Sequence, residues 1–415
     1  MLLNQGTRKE AAHEESVREC SLWRSGCPLQ VQHKFSTVTF RDAAGRVVAR
    51  EQLHHADREG LREQLARWPK GIPIVLEASF GWGWLSDLME EVGLKPQLSN
   101  CYKVEKYRQT QGWVKTNKKD ADLLSMLPGE TREKPEPWWQ VWRAPADVRD
   151  RREWMRYRAD MVALTTGTKN RIHAVFHRHG IFFEEKTDLF GGLGRRFLDQ
   201  LSQDGRHAGG VLPDGARQVL RGLVNLHAYL RGQLLEVAKT LHGQLERDEL
   251  AKRLDGIPGV GLILSHTLRS EIGDIGRFKN HRKLAAYVCL APRSDETGEP
   301  HPGRPPLGRH LGERGNRTLK WAFIEAAHGA VKHGGKWRAM FDRATDGGRK
   351  DRGRGYIKVA RELVQVVYIV WSRNVAYREA PPRRPGSGRQ TRRPRKNSRP
   401  GTGQPFHPMA QAPRA

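Results

Sequence analysis

The chain has 415 residues, of which 73 are Lys or Arg and 46 are Asp or Glu, giving a formal net charge of +27. This excess is typical of proteins that bind a polyanion, and it argues against a free-standing enzyme of small anionic metabolites. At roughly 100–200 residues per domain, the length allows about two to four domains and a sizeable core.

Cysteine usage and hydropathy exclude several further classes of protein. The cysteines are Cys20, Cys27, Cys101 and Cys289. They form no CxxC pair and no Cys/His array at zinc spacing, so we expect reduced thiols in place of a zinc site or a disulfide framework. No apolar run approaches the ~18–20 residues of a membrane span, and the N-terminus lacks the pattern of a secretory signal. These features predict a cytoplasmic, nucleoid-associated protein with no membrane segment.

The N-terminal third alternates between strand and helix patterns. Residues 1–28 are polar without a clear period, which predicts a disordered segment or a wrongly assigned start. The predicted elements that follow are a strand at 35–40, a turn at 42–45, a strand at 46–50, a helix at 57–68, a buried strand at 72–77, a helix around 84–89 and a strand at 95–101. Strands and helices in this alternation indicate an α/β layer structure.

The rest of the chain is predicted to be helical until a basic tail. Apolar residues recur at helical spacing over 143–179 and again over 213–250, with a Gly-rich segment at 191–194 between them. Two such stretches predict an extended antiparallel helical hairpin. A compact helical region continues to about residue 377, and residues 378–415 are so rich in Pro and Arg that we expect disorder.

Two segments of the N-terminal third carry acids in a suggestive arrangement. Glu77 ends a predicted buried strand, so its carboxylate would lie at the carboxyl edge of a sheet. Thr116 can cap a helix in which Asn117 and Asp120, three residues apart, share a face. Carboxylates from a strand end and a helix are what a divalent metal needs to organise phosphoryl transfer. A solvated strand end and an ordinary basic helix start explain the same pattern.

Two later segments suggest contacts with a nucleic-acid backbone. Residues 257–261, Ile-Pro-Gly-Val-Gly, resemble a helix–hairpin–helix turn, in which glycines let backbone N–H groups approach a phosphate. A Pro-Gly turn before any helix looks similar. Residues 292–299 form a polar loop, and an Arg-rich segment at 308–317 follows. A hydroxyl there could attack a phosphodiester while guanidinium groups stabilise the developing charge, although most loop hydroxyls do nothing of the kind.

In this order and spacing, the segments resemble one known family from about residue 29 to residue 377. The chain is similar to the "IS one-ten" insertion-sequence transposases, the DEDD-type, bridge-RNA-guided recombinases. The resemblance rests on residues 32–36, 75–78, 115–121, 169–173, 257–261, 284–287, 291–293, 297–299 and 314–317.

The resemblance implies a fold and a set of partners. It implies an α/β RuvC-like (RNase H-like) domain at 29–142, a helical coiled coil at 143–250 and a mainly α-helical C-terminal transposase domain at 251–377. It also implies Mg²⁺ held by an Asp-Glu-Asp-Asp tetrad and a serine nucleophile that links covalently to DNA. The implied partners are the DNA ends of the element, target DNA and a structured guide RNA, bound by a homo-oligomer such as a dimer or tetramer.

The resemblance transfers to this chain with substitutions at key positions. Glu77 and Asp120 match the second and fourth acids, whereas Asn117 stands at the third and Gln30 at the first. Neutral amides are poorer ligands for a hard cation than carboxylates. Thr297 occupies the place of the serine, with Ser294 as a nearby alternative. The residues expected to contact nucleic acid are Lys115, Lys118, Lys119, Lys169, Arg171, Gly259, Gly261, Arg314 and Arg317.

Three functional hypotheses follow. The first is a transposase that cleaves and exchanges DNA strands, with Glu77 and Asp120 holding Mg²⁺ and Thr297 as nucleophile. The second is a catalytically degenerate copy, with a shifted reading frame or misplaced start, that acts only as a nucleic-acid-binding protein. The third is a RuvC-like junction endonuclease, which requires the complete acidic set and gives no role to the loop of Thr297.

Overall fold

The computed structural model describes residues 24–27, 34–42, 44–79, 81–114, 116–129, 137–183, 188–292, 311–312 and 315–379. The strands are β1 (Arg24–Cys27), β2 (Phe35–Arg41), β3 (Val47–His54), β4 (Pro73–Glu77), β5 (Lys95–Ser99), β6 (Gln140–Val141), β7 (Arg206–His207) and β8 (Gly210–Val211). The helices of the N-terminal part are α1 (Arg58–Ala66), α2 (Trp82–Glu91), α3 (Cys101–Thr110) and α4 (Asn117–Met126). Those that follow are α5 (Ala146–Arg178), α6 (Gly192–Asp204), α7 (Asp214–Leu245), α8 (Glu249–Asp255), α9 (Leu262–Ile272), α10 (His281–Tyr287), α11 (Arg317–His333), α12 (Gly335–Thr345) and α13 (Arg352–Ser372).

The N-terminal part is a six-stranded mixed sheet in the order β3-β2-β1-β4-β5-β6. Strands β1, β4 and β5 run parallel, whereas β2, β3 and β6 each run antiparallel to the neighbour that precedes them in the chain. Alternate residues of a strand point to opposite faces, so Ile74 and Leu76 join the core formed with α1 and α2. Val75 faces the other side and packs with Leu124 of α4. The predicted mixture of strands and helices is confirmed for this part.

Strand β1 lies inside the segment 1–28, for which the sequence predicted disorder or a wrong start. Disorder is wrong for Arg24–Cys27, the wrong start stays a prediction, and residues 1–23 lie outside the described residues. The strand forms because its backbone pairs on both sides: Gly26 stands opposite Thr39 of β2 and Val75 of β4. The four residues Arg-Ser-Gly-Cys carry no strand pattern of their own, so tertiary pairing determines their conformation.

Strand β5 is also shorter than expected. The sequence predicted a strand over 95–101, but it ends at Ser99 because the side chain of Asn100 accepts the N–H of Lys103 at 3.1 Å and begins a helix. Cys101 is the first residue of that helix, α3. The change of direction places the start of α3 directly beside the end of β4, because Ser99 is paired with Glu77.

The predicted antiparallel helical hairpin is present as α5 and α7, 33 and 32 residues long. Near its base, Met155 packs with Val237 and Leu241, and further along Ile172 packs with Leu220. The numbering rises on one helix as it falls on the other, so the two run antiparallel. The connection is more than a glycine-rich linker, because Gly192 begins a third helix, α6, which is followed by the small β7-β8 hairpin.

Helices α8 to α13 surround one large apolar core, in which Phe323 and Trp337 are the bulkiest fully buried side chains. The first turns of α5 are fixed to this core. Arg152 donates from Nε to the carbonyl of Ser270 and from Nη2 to that of Glu271, each at 3.0 Å, and so satisfies carbonyls at the end of α9.

The segment before α5 is fixed to the same core. A Cβ atom at Gly273 would lie 2.3 Å from Cη2 of Trp142, so this indole occupies the space that any larger residue would need. No helix within the described ranges combines the length and apolarity that crossing a membrane would require.

Candidate active site at the edge of the sheet

Glu77 is the last residue of β4 and is half-buried. It lies two residues after Val75, so its side chain points to the same face of the sheet. That face is covered by α4, because Val75 shares a buried cluster with Leu124, Leu127 and Trp139. The strand pattern therefore directs the Glu77 carboxylate towards α4 at the carboxyl edge of the sheet.

The Cys101 thiol donates a hydrogen bond to the Glu77 carboxylate. Burial, followed by the negative charge of Glu77 and this hydrogen bond, raises the pKa of the thiol to about 11. Cys101 is therefore protonated near neutral pH and is a neutral donor that orients the carboxylate. The sequence analysis predicted only a reduced thiol here; the register of β5 beside β4 is the signal that would have found the contact.

Helix α4 is capped at its start and is oriented by polar contacts with β2. Thr116 caps its start by accepting the N–H of Lys119 at 3.2 Å, as its residue type predicted. Asp122 accepts the hydroxyl of Thr39 at 2.9 Å. One turn later, the Ser125 hydroxyl accepts Nε of Arg41 at 2.7 Å. Moving from Thr39 to Arg41 along β2 means moving towards the start of β4, because β2 is antiparallel to β1 and β1 is parallel to β4.

Helix α4 consequently runs antiparallel to β4 and begins near the edge where β4 ends. Thr39 and Val75 both stand opposite Gly26, which sets Asp122 at the height of Val75. Glu77 lies roughly 7 Å beyond Val75 along the strand, at ~3.3 Å per residue. Asp120 and the backbone of Asn117 lie about 3 and 7.5 Å back along the helix, at 1.5 Å per residue. The height of Glu77 thus falls between Asp120 and the start of α4.

Asp120 is half-buried and has a cationic neighbour on α3. The pKa of the Arg108 guanidinium is raised by its hydrogen bond to Glu105, despite desolvation. The charge of Glu105 and, to a smaller extent, that of Asp120 raise it further. Arg108 donates to Glu105 from Nε at 2.8 Å. Glu77 thus has a neutral thiol beside it, and Asp120 lies near an arginine whose charge is largely balanced by Glu105.

The described residues supply only part of the predicted tetrad. Across the ranges given above, no three His, Cys, Asp or Glu side chains come together as a metal site. Gln30 lies outside the described residues, as does the side chain of Asn117. Of the lysines predicted to attract phosphate, Lys118 and Lys119 are exposed on the first turn of α4, and Lys115 is outside the described residues.

The turn at 257–261 gives its two glycines different roles. Gly259 has φ of +84°, and a Cβ there would lie 2.1 Å from the carbonyl oxygen of Ala326 and 2.4 Å from the nitrogen of Ala330. Close packing against α11 therefore explains this glycine without any phosphate. Gly261 is exposed at the start of α9, and a Cβ there would meet no atom within 4 Å. Of the pair predicted to contact nucleic acid, Gly261 is exposed and Gly259 is half-buried.

The loop that carries Thr297, Ser294 and Arg314 lies outside the described residues, but its two ends are fixed next to each other. Pro292 and Leu311 form an isolated β-bridge. At Gly315 the chain passes so close to α10 that a Cβ would lie 2.3 Å from the carbonyl oxygen of Tyr287. These contacts hold the ends of the predicted nucleophile loop against the C-terminal core.

Asn316 connects this loop to a buried carboxylate. Its N–H donates to the carbonyl of Tyr287 at 2.8 Å, and its Oδ1 caps α11 by accepting the N–H of Leu319 at 2.9 Å. Its Nδ2 donates to Glu271 Oε2 at 2.7 Å. Glu271 is buried, and Arg152 Nε lies 3.8 Å from the same oxygen. The motif at 314–317 includes Asn316 without giving it a role, although Asn before a helix is a typical cap, and the sequence did not point to Glu271.

Three predicted nucleic-acid contacts remain, and they lie in different environments. Arg317 is exposed at the first residue of α11, directly after Asn316. Lys169 is half-buried on α5, with Nζ 4.6 Å from the ring centroid of Phe190. Arg171 is exposed two residues further on, which is about 200° round the helix from Lys169.

Residues 251–342 match the family model described as "Transposase IS116/IS110/IS902 family". The resemblance to insertion-sequence transposases is confirmed. The matched segment spans α8 to most of α12, and so includes Gly259, Glu271, Asn316 and the loop between α10 and α11, but not the edge of the sheet.

Curated relatives support the same conclusion at low identity. The transposase for insertion sequence element IS1328 of Yersinia enterocolitica is 31% identical over 116 residues, which cover 28% of this chain and 33% of the relative. A probable family 20 transposase of Pseudomonas aeruginosa is 24% identical over 169 residues, covering 40% and 48%. The insertion element IS110 uncharacterized 43.6 kDa protein of Streptomyces coelicolor is 28% identical over 131 residues, covering 31% of each chain. The chain spans about a third to a half of the curated relatives that it matches.

Proposed function

We propose that this chain is an insertion-sequence transposase that binds the DNA ends of its element and target DNA, and that it catalyses phosphodiester cleavage and strand exchange. The direction of α4 carries the proposal, because a helix antiparallel to β4 begins where that strand ends. A carboxylate from each element, Glu77 and Asp120, is then available at one edge. The net charge of +27 and the match of residues 251–342 to a transposase model support the same assignment.

The N-terminal sheet supports a RuvC-like (RNase H-like) domain. Its first five strands are ordered β3-β2-β1-β4-β5, with β2 antiparallel to both neighbours and β1, β4 and β5 parallel. In such a sheet the carboxyl ends of the parallel strands share one edge, where ligands of open α/β sheets usually bind.

Mg²⁺ is the cofactor that this edge fits. Proteins commonly hold Mg²⁺ with one or two carboxylates together with substrate phosphates, so Glu77 and Asp120 would be its protein ligands. When bound, the ion would polarise a phosphoryl oxygen and stabilise charge in the transition state. The fit is partial, because Asn117 and Gln30 are neutral where the resembled family has acids. We therefore expect weaker binding of Mg²⁺ than a full set of four acids would give.

The residues of the chain have separate roles in this proposal. Cys101 donates to Glu77 and fixes the orientation of that carboxylate, while Lys118 and Lys119 attract the DNA backbone. Thr297 supplies the hydroxyl that attacks phosphorus: its oxygen releases its proton to water and forms the new P–O bond, one DNA P–O bond breaks, and the departing oxygen takes a proton from water. Asn316 fixes the end of the loop from which this hydroxyl acts.

The experiment that tests the proposal measures cleavage and covalent protein–DNA adducts with labelled element ends and Mg²⁺. We expect Glu77→Gln and Asp120→Asn to lower cleavage by at least about 100-fold, on the scale of lost electrostatic stabilisation in other active sites. Thr297→Ala should abolish the adduct. Glu63→Gln, at an exposed acid of α1, is the matched control and should leave cleavage unchanged. Equal activity in all four variants would refute the assignment of this edge.

A second candidate function is a degenerate copy that binds nucleic acid without strand transfer, and the two neutral amides favour it. Gln30→Asp combined with Asn117→Asp restores the full acidic set. Cleavage that occurs only in this double variant would identify the natural chain as a binding protein, whereas cleavage by the natural chain would exclude that candidate.

The partners form a further part of the proposal. We expect a structured guide RNA to co-purify with the chain, and we expect the complex to be a dimer or tetramer. Sequencing of the bound RNA and light scattering of the complex test these two expectations separately.

A further inference from the structure

The helical hairpin carries a groove between α6 and α7 that the proposed chemistry does not use. Its cavity measures about 280 Å³. Leu198, Val224 and Leu235 contribute apolar surface, and Arg195, His227 and Arg231 contribute polar groups. The α7 residues recur at spacings of three and four, so one face of that helix forms a whole side of the groove. We call this feature the hairpin groove.

Two arginines of the hairpin groove retain donors for a ligand. Arg195 donates from Nε to the carbonyl of Gly191 at 3.2 Å, and its terminal nitrogens have no partner among the described residues. Arg231 is exposed and makes no ion pair or hydrogen bond with any residue that the structure describes. Asp199 is the one acid among the residues lining the groove, so the lining carries a net positive charge.

His227 is a third polar group of the groove. It is only 6% exposed, and its ring nitrogens have no hydrogen-bond partner in the described part of the chain. Its ring centroid lies 5.0 Å from that of Phe190, over which the Lys169 ammonium is placed. Burial lowers the pKa of His227, and the positive charges of Lys169 and Arg195 lower it further. The negative charge of Asp188 acts in the opposite direction but is the smaller effect. The imidazole is therefore neutral at pH 7 and can both donate and accept.

We propose that the hairpin groove binds one unpaired nucleotide of a nucleic-acid strand, with the base on the apolar surface and the phosphate against Arg195 and Arg231. An apolar surface holds a base face, and neighbouring guanidinium groups recognise its phosphate. A cavity of about 280 Å³ is below the usual range of drug-sized pockets, so it admits a single nucleotide and no duplex. The inference rests on the proposed function in that the strand is the DNA or guide RNA of the transposase.

A cavity-filling variant tests the groove without removing any contact. Gly232 lines it, and a Cβ at this exposed glycine of α7 meets no atom within 4 Å. Gly222 is equally exposed and open on the same helix but does not line the groove. Gly232→Leu and Gly222→Leu therefore bring the same gain in helix propensity, and only the first fills the groove.

The measurement is the affinity of the full chain for labelled RNA and DNA hairpins, each prepared fully paired and with a one-nucleotide bulge. We expect the wild-type chain and Gly222→Leu to prefer a bulged hairpin by about tenfold, which is within the range for one stacked base. Gly232→Leu should bind bulged and paired hairpins equally. The hairpin type that shows the preference, RNA or DNA, identifies the source of the nucleotide.

A charge variant tests the phosphate contact. Arg195→Ala should weaken binding of the bulged hairpin several-fold more than Arg196→Ala, its exposed neighbour outside the groove. Equal bulge preference in the wild-type chain and Gly232→Leu would overturn the proposal. So would a change of oligomeric mass confined to Gly232→Leu, since a second copy of the chain would then cover the groove. Cleavage of element ends reports on Glu77 and Asp120, so the two proposals fail in different assays.

Discussion

The edge of the sheet and the C-terminal helical core hold their polar groups in different ways. At the sheet edge, Glu77 and Asp120 are half-buried. Glu77 accepts a hydrogen bond from the thiol of Cys101, whose raised pKa keeps it neutral. In the core, Glu271 is buried and is held by the amide of Asn316 and by Arg152 and Arg156. A half-buried carboxylate is exposed to cations in solvent, whereas a buried carboxylate fixes its neighbours. The first region therefore suits the proposed chemistry, whereas the second holds the structure in place.

The largest expected effect comes from removing the contacts of Glu271 with Asn316 and Arg152. Glu271→Ala removes the acceptor of Asn316 and leaves Arg152 without its buried counter-charge, so we expect a loss of about 3 kcal/mol in the free energy of unfolding. Urea denaturation followed by circular dichroism measures it. Glu246→Ala, at an exposed acid beyond α7, is the control and should change stability by less than about 0.5 kcal/mol. A similar small change for Glu271→Ala would remove the distinction between the two regions.

The next effect concerns the two glycines of the turn at 257–261. Gly259→Ala places a Cβ against the backbone of α11 at positive φ, so we expect a loss of about 2 kcal/mol in stability. Gly261→Ala meets no neighbouring atom and should leave stability nearly unchanged. Thermal unfolding of both variants separates these outcomes. If both lost the same stability, close packing would not be the reason for Gly259.

The smallest expected effect concerns the contact between Cys101 and Glu77 at the edge of the sheet. Because burial and the charge of Glu77 raise the pKa of Cys101 to about 11, its thiolate forms only at high pH. We expect alkylation of Cys101, followed by peptide mass spectrometry, to rise with pH towards that value. Glu77→Gln removes the negative charge, so it should lower the pKa and speed alkylation at pH 9 severalfold, although burial still slows it. Glu63→Gln should leave the alkylation profile unchanged, and a matching profile for Glu77→Gln would show that the carboxylate does not contact the thiol.

The sequence predicted the features that depend on local pattern. The cap at Thr116 and the shared helix of Asn117 and Asp120 follow from residue types a few positions apart, and so does the apolar stripe of the helical hairpin. The cap and helix were correctly predicted for that reason. The role of Glu77 as a metal ligand stays a prediction, as does that of Thr297.

Features that depend on distant segments were not predictable in the same way. Strand β1 has no pattern of its own and forms between two strands that come later in the chain. The contact of Cys101 with Glu77 depends on the register of β5 beside β4. The hairpin groove depends on α6, and the glycines at 191–194 gave no sign that a helix begins there. The packing of Gly259 against α11 was not predictable from the turn alone, because α11 begins 58 residues later.

The anchoring of α5 by Arg152 and Trp142 turns the hairpin into a lever arm. At 1.5 Å per residue, the part of α5 beyond Arg152 extends about 39 Å from the C-terminal core. A tilt of about 10° at the anchored base would move the far end by roughly 7 Å. A nucleic-acid strand gripped near that end would therefore transmit even a slight rotation to α9 and the loop that it supports. Small movements of bound strands would then displace the C-terminal core at the first turns of α5.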